Sequence, residues 1–288
     1  MRRGTGVAIL GIAMLALAGT AVAETPVERG AYLVNSTSAC GNCHTQKDAA
    51  GAAVAGKELA GGFEFHEGFG LAIAANITPD PETGIGKWTD AQLITALREG
   101  KRPDGRTLGP PMPFFFYRGI ADDDAAAIVA YIRTIKPIHN AVGHSEYKAP
   151  LPAAYGPPVE HVTAPPRTDK AAYGAYLAGP IAHCLDCHTP FASPGKLDLT
   201  RLGAGGRELH APGSDTVHVI SRNITPDPDD GIGKWSDADI KRAITTGVRP
   251  DGTKLAPTMA FAWYKNIAPA DLDALVAYLR SMKPQKTR

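Results

Sequence analysis

Several features that most functional classes require are scarce or missing in this sequence. Charge of one sign is the first: 30 lysines and arginines face 29 aspartates and glutamates, for a net +1. Without Arg2 and Arg3 the balance is −1. No basic surface is expected from it, so neither nucleic acid nor a lipid headgroup is an expected partner. Beyond the first two dozen residues no apolar run is long enough to cross a bilayer. Convincing runs of alternating strand residues are missing too, and the expected fold is all-α. Cysteine is limited to four residues, and after position 23 only three methionines remain, Met112, Met259 and Met282.

The N-terminus is where an apolar run does occur. Arg2 and Arg3, the uncharged stretch from Val7 to Leu17 and the A-V-A at 21–23 have the anatomy of a secretory signal peptide. Cleavage near Ala23 is expected, giving an exported chain with no transmembrane segment. The remaining length suits about two small domains.

The four cysteines form two C-x-x-C pairs, each followed by histidine: C-G-N-C-H (Cys40, Cys43, His44) and C-L-D-C-H (Cys184, Cys187, His188). Export permits disulfides, but a disulfide framework leaves both histidines without a purpose. Zinc ribbons place their C-x-x-C pairs about 15–20 residues apart, whereas these are separated by roughly 140. A thioredoxin-like dithiol needs a strand-helix setting that is missing here. Covalent c-type haem attachment uses every residue. Two thiols add to the porphyrin vinyl groups, and the adjacent imidazole ligates the iron. Two covalently attached haems are expected.

An internal repeat organises the chain. Residues 76–137 align without gaps to 223–284, with 34 of 62 positions identical. Both copies run N-I-T-P-D-P, G-I-G-K-W, R-P-D-G and V-A-Y-(I/L)-R-x-x-K-P. Upstream the offset falls from 147 to 144, which places a three-residue insertion between His210 and Asn223. The expected organisation is a signal peptide over 1–23, haem domains over 24–137 and 169–288, and a Pro-rich linker over 138–168. Proline at the linker's density favours extended, semi-rigid chain.

Short helices are expected ahead of each haem motif. T-D-A-Q at 89–92 reads as a capping box, and S-D-A-D at 236–239 as a looser one. The helices they open stop at Gly100 and Gly247. Gly30 with Tyr131, and Gly174 with Tyr278, mark close crossings of the first and last helices of each copy. Asn76 and Asn223 are read as closing turns.

The second axial position decides between carrying electrons and chemistry at the metal. Met112 and Met259 match across the repeat, in G-P-P-M-P-F and A-P-T-M-A-F. Their proline-marked loops can hold a thioether inward at little entropic cost. The metal ligands are therefore read as His44 with Met112 and His188 with Met259, while Met282 is read as core. His66 and His210 also match, but a structural or propionate-side role suits them better. Trp88 and Trp235, with Lys87 and Lys234, suit haem support and core packing equally. His139, His144, His161 and His218 have no counterpart in the other copy and are read as solvated; His183 is given no role.

These motifs together resemble the class I cytochrome c domains of bacterial periplasmic dehydrogenase cytochrome subunits, such as those for alcohol, gluconate, sorbitol and nicotinate. The resemblance covers nearly the whole mature chain. It implies small helices around each haem with His and Met axial ligands, periplasmic location, and a dehydrogenase as electron donor. The acceptor would be another cytochrome, a terminal oxidase or a quinone-linked component. Such a protein transfers electrons one at a time and is not itself an enzyme. The competing class is a haem enzyme, such as a dihaem peroxidase or a thiosulfate dehydrogenase. The latter calls for a cysteine axial ligand, and all four cysteines are committed to attachment.

Overall fold

The computed structural model describes residues 24–48, 51–210 and 218–287. The signal peptide expected at 1–23 lies outside them, as does 211–217, within the stretch where the insertion is placed. Helices of the first copy are α1 (Pro26–Asn35), α2 (Cys40–His44), α3 (Asp90–Glu99), α4 (Phe114–Tyr117) and α5 (Asp122–Thr134). The second copy repeats them as α6 (Lys170–Tyr176), α7 (Cys184–Cys187), α8 (Asp237–Thr246), α9 (Phe261–Tyr264) and α10 (Pro269–Ser281). Among the described residues no helix is long and apolar enough to cross a membrane.

Local chemistry sets the helix ends as expected. Thr89 accepts from the Gln92 amide at 3.2 Å and Gln92 Oε1 accepts from the Thr89 amide at 2.8 Å, closing a reciprocal cap on α3. Ser236 and Asp239 do the same for α8. Gly100 and Gly247 end these helices at φ 65° and 68°, a left-handed region that glycine enters without cost.

The close crossings are also present. A Cβ on Gly30 would lie 1.9 Å from the Ala127 carbonyl oxygen and 2.8 Å from Tyr131 Cβ. A Cβ on Gly174 would meet Ala274 and Tyr278 at the same two distances. With hydrogen at these positions, α1 lies directly on α5 and α6 on α10, and each crossing delivers the chain to its C-x-x-C-H motif.

The all-α expectation is wrong. The described residues are 35% helix and 11% strand, with three small antiparallel sheets. β1 (Glu64–Glu67) and β2 (Gly70–Ile73) form a hairpin, and β3 (Glu146–Tyr147) adds to β2. β4 (Phe191–Ser193) pairs with β5 (Lys196–Leu197), and β6 (Glu208–His210) with β7 (His218–Ile220). Strands of two to four residues fall at or below the length at which alternation is readable. β3 comes from the proline-rich stretch, and no local pattern announces its pairing. That stretch does wrap the surface of the first copy. The Tyr147 hydroxyl donates to the Pro110 carbonyl at 3.0 Å and the Tyr155 hydroxyl to the Leu108 carbonyl at 2.8 Å. The Tyr155 ring stacks on Phe114 at 4.9 Å.

One apolar cluster spans both copies, with Leu33, Ile120 and Ile128 from the first and Leu177, Ile181 and Leu275 from the second. Two tyrosine hydroxyls, one from each copy, each make two hydrogen bonds across the junction. The Tyr32 hydroxyl donates to Asp271 at 2.8 Å and accepts from the Ala268 amide at 3.1 Å. The Tyr176 hydroxyl donates to Asp124 at 2.7 Å and accepts from the Ala121 amide at 3.1 Å. Within the first copy, Arg29 holds Asp124 by a bidentate pair at 2.8 and 3.0 Å.

Candidate functional site

Each C-x-x-C-H motif makes one short helical turn, entered through a left-handed residue: Ala39 at φ 48° and His183 at φ 43°. The four thiols are free. Burial pushes Cys40 up to about 12, with the neighbouring Cys43 thiol adding to the effect. Burial likewise raises Cys43, against the pull of Lys47. Cys184 rises to about 11 by burial. Cys187 rises to about 12, first by burial, then by Asp186, with Arg207 opposing. Redox exchange needs the thiolate, and burial that keeps these thiols protonated disfavours a redox-active dithiol.

The two histidines are oriented in the same way. His44 Nδ1 lies 2.8 Å from the Ala75 carbonyl, and His188 Nδ1 lies 2.6 Å from the Arg222 carbonyl. A carbonyl only accepts, so each Nδ1 carries the proton and each Nε2 keeps its lone pair for a metal. Burial lowers both ring pKa values and favours the neutral form. The Ala75 and Arg222 carbonyls are functional groups the side-chain pattern did not reveal. The available signal was position: each stands one residue before N-I-T-P-D-P.

That motif holds the carbonyl in place. Asn76 Oδ1 accepts from the Thr78 amide at 3.0 Å, and its Nδ2 donates to the Ile138 carbonyl at 2.8 Å. Asn223 repeats this with Thr225 at 2.9 Å and Gln285 at 2.7 Å. The turn-closing role read from sequence is present in both copies. Gly61 and Gly205, at φ 74° and 69°, donate their amides to the His44 and His188 carbonyls at 2.7 and 2.8 Å.

All eight residues singled out from the sequence line one cavity of about 2880 Å³: Cys40, Cys43, His44, Met112, Cys184, Cys187, His188 and Met259. Cofactor pockets reach roughly 1,000 Å³, so this space suits two large groups rather than one small ligand. Its walls include Ile77, Trp88, Leu97, Phe114, Trp235 and Ile244. Both tryptophans pack on the apolar clusters, as core residues would, and also line the cavity. Lys87 and Lys234 are exposed, and Lys234 pairs with Asp229 at 3.1 Å. Met282 packs beside Ile232 and Leu279, as a core residue should.

His66 and His210 stand on facing hairpins at the cavity rim, where His210 donates to the His66 carbonyl. His66 bonds Glu64 at 3.1 Å. His218 is exposed, but it pairs with Glu208 at 2.7 Å and its ring lies 4.7 Å from that of His210. His139, His144 and His161 are exposed. His183, given no role from sequence, sets its ring 5.7 Å from Tyr117 across the junction of the copies. At that same junction a Cβ on Gly41 would lie 3.0 Å from Trp263 Nε1, while within the second copy the neighbouring Tyr264 hydroxyl donates to the Ala182 carbonyl at 3.2 Å. The two motifs thus face each other through aromatic side chains.

The donor set fits a covalently held haem: paired thiols, an imidazole with a free Nε2, a thioether on the same cavity and apolar walls. Comparison with known proteins agrees. The sequence profile of the cytochrome c family matches residues 27–136. The chain is 34% identical, over 93% of its length, to the alcohol dehydrogenase (quinone) cytochrome c subunit of Gluconacetobacter polyoxogenes, and spans 59% of that protein. It is 32% identical to the fructose dehydrogenase cytochrome subunit of Gluconobacter japonicus, over 93% of this chain and 57% of that one. A diheme cytochrome c-type protein of Cereibacter sphaeroides is 32% identical over 84% of this chain and 81% of its own. On this ground, the chain belongs to the cytochrome c family, proteins that carry covalently attached haem c and act in electron transfer rather than as catalytic subunits.

Proposed function

We propose that the chain is a periplasmic two-haem cytochrome, formed of domains at 24–137 and 169–288 joined by 138–168. It takes electrons singly from a dehydrogenase and passes them to a respiratory acceptor: a cytochrome, a terminal oxidase or a quinone-linked component. The observation that carries this reading is the convergence of both complete donor sets on one cavity. The dehydrogenase donor is supported by the relatives named as alcohol and fructose dehydrogenase subunits. Export is supported by the sequence of residues 1–23.

Cys40 and Cys43 would hold the first haem by thioether bonds and Cys184 and Cys187 the second. His44 with Met112, and His188 with Met259, would fill the axial positions. A haem so bound supplies a one-electron iron couple. The chain's own part is to orient and exclude. The Ala75 and Arg222 carbonyls fix each imidazole, Met112 and Met259 would supply a thioether to each iron, and the apolar walls would limit water around the haems. With protein donors on both sides of each iron, substrate would have no place at the metal, which would disfavour the peroxidase alternative.

Carbon monoxide added to the reduced, haem-loaded protein tests this. The expected spectrum is unchanged by the gas, and the protein does not consume hydrogen peroxide. A carbon monoxide shift at either haem, or sustained peroxide turnover, would favour the enzyme reading instead.

A further inference from the structure

The internal repeat allows each haem site to be compared with its twin, position by position. Lys47 follows the first motif by three residues, and its Nζ lies 4.3 Å from the centre of the Phe63 ring. At the matching positions the two residue types have traded places. Phe191 stands for Lys47, Arg207 for Phe63, and the Arg207 guanidinium lies 4.3 Å from the Phe191 ring. A cation on an aromatic face is therefore present at both sites, although cation and ring have exchanged sequence positions.

Each cation also reaches the third residue of its C-x-x-C. Lys47 Nζ approaches Asn42 Oδ1 at 3.4 Å. Arg207 Nη1 donates to the Asp186 carbonyl at 2.6 Å and lies 3.5 Å from the Asp186 carboxylate. Asn42 and Asp186 are counterparts in the repeat and nearly the same shape, but only one is charged. At the first site the C-x-x-C residue that the cation reaches is neutral, while at the second it is a carboxylate that offsets the cation. Arg207 and Asp186 are 17% and 21% exposed, so water screens these charges only in part. A ferric haem gains one negative charge when it takes an electron. A fixed cation nearby favours that reduced form, and a carboxylate opposes it.

We propose that Asn42 and Asp186, with the cations they hold, set the order of the two potentials: the His44 site is the higher and the His188 site the lower. An electron arriving at the His188 site then passes downhill to the His44 site. The assignment rests on haem being attached at both motifs.

The test is a potentiometric titration of the haem-loaded full chain, with haem content measured on the same samples. Asn42→Asp is expected to lower the upper wave, and Asp186→Asn to raise the lower one. Each should change its one-electron equilibrium constant about tenfold, or ~59 mV. Lys47→Met, which adds no carboxylate, should also lower the upper wave. Combining Asn42→Asp with Asp186→Asn should narrow or invert the gap. Two waves that ignore these exchanges, or an Asp186→Asn that moves only the upper wave, would overturn the ordering while leaving two haems in place. A chain with one haem or none would overturn both the ordering and the two-haem reading beneath it.

Discussion

Replacing Gly30 with alanine tests the helix crossing that frames the first haem motif. Two effects oppose each other. Gly30 lies inside α1, where alanine is favoured over glycine by about 0.5–1 kcal/mol. Against that, the added Cβ would lie 1.9 Å from the Ala127 carbonyl oxygen and 2.8 Å from Tyr131 Cβ. The carbonyl is backbone of α5 and cannot swing aside, so α1 must retreat by about 1.5 Å to restore ordinary contact. Overpacking of this kind costs about 1–3 kcal/mol, occasionally more. A clash this deep belongs at the upper end, leaving a net loss of about 2 kcal/mol. For a chain of this size, 1 kcal/mol moves Tm by about 2–4 °C, so Gly30→Ala should lower Tm by about 4–8 °C. Gly174→Ala, with the same distances to Ala274 and Tyr278, should do likewise. The assay is thermal unfolding of the haem-loaded protein followed by far-ultraviolet circular dichroism. A Gly30→Ala protein as stable as the parent, or more so, would show that propensity outweighs the crossing and refute the reasoning.

Asp124→Ala should cost about 3–5 kcal/mol, because the Arg29 guanidinium, 12% exposed, would lose both its carboxylate bonds. The urea midpoint measures this, and a loss below 1 kcal/mol would mean that the Arg29–Asp124 pair contributes little to the fold of the first copy. Met112→His should lower one redox wave and leave the other, since histidine in place of methionine lowers a haem potential; Met259→His should move the opposite wave, and spectroelectrochemistry separates them. Stability should also fall in acid. The Thr83 amide bound to Asp80 and the Asp230 amide bound to Asp227 hold both carboxyls below their usual range. A depressed folded pKa gives stability that is complete above the unfolded value of about 3.9 and is lost as pH falls through the folded value. Urea titrations from neutral pH downward should therefore show these contributions intact until about pH 4, and an Asp80→Ala protein should lose less on acidification than the parent.

What the sequence revealed of this molecule was local or repeated. The caps at Thr89 and Ser236, the stops at Gly100 and Gly247, and the tight glycine crossings rest on neighbours within a turn or on a pattern seen twice. Both C-x-x-C-H motifs and the paired methionines stood out because duplication separates a repeated residue from an incidental one, and the structure brings all of them to one cavity. Contacts between distant positions were not. The Tyr32–Asp271 bond joins residues 239 apart, and β3 reaches β2 from the proline-rich stretch. The Ala75 carbonyl that orients His44 belongs to the backbone, so no choice of side chain advertises it. The exchange of Lys47 and Phe63 for Phe191 and Arg207 hid a shared interaction behind non-identical residues, visible only once the rings and charges were placed.

The two-haem claim meets its most direct test in the mass of the intact, denatured chain after maturation in a host that attaches haem c. Four free thiols arranged as two pairs on one cavity predict a chain heavier by two haems, falling to one when Cys184 and Cys187 are both replaced by serine. A parent chain carrying a single haem, or none that survives denaturation, would contradict the account.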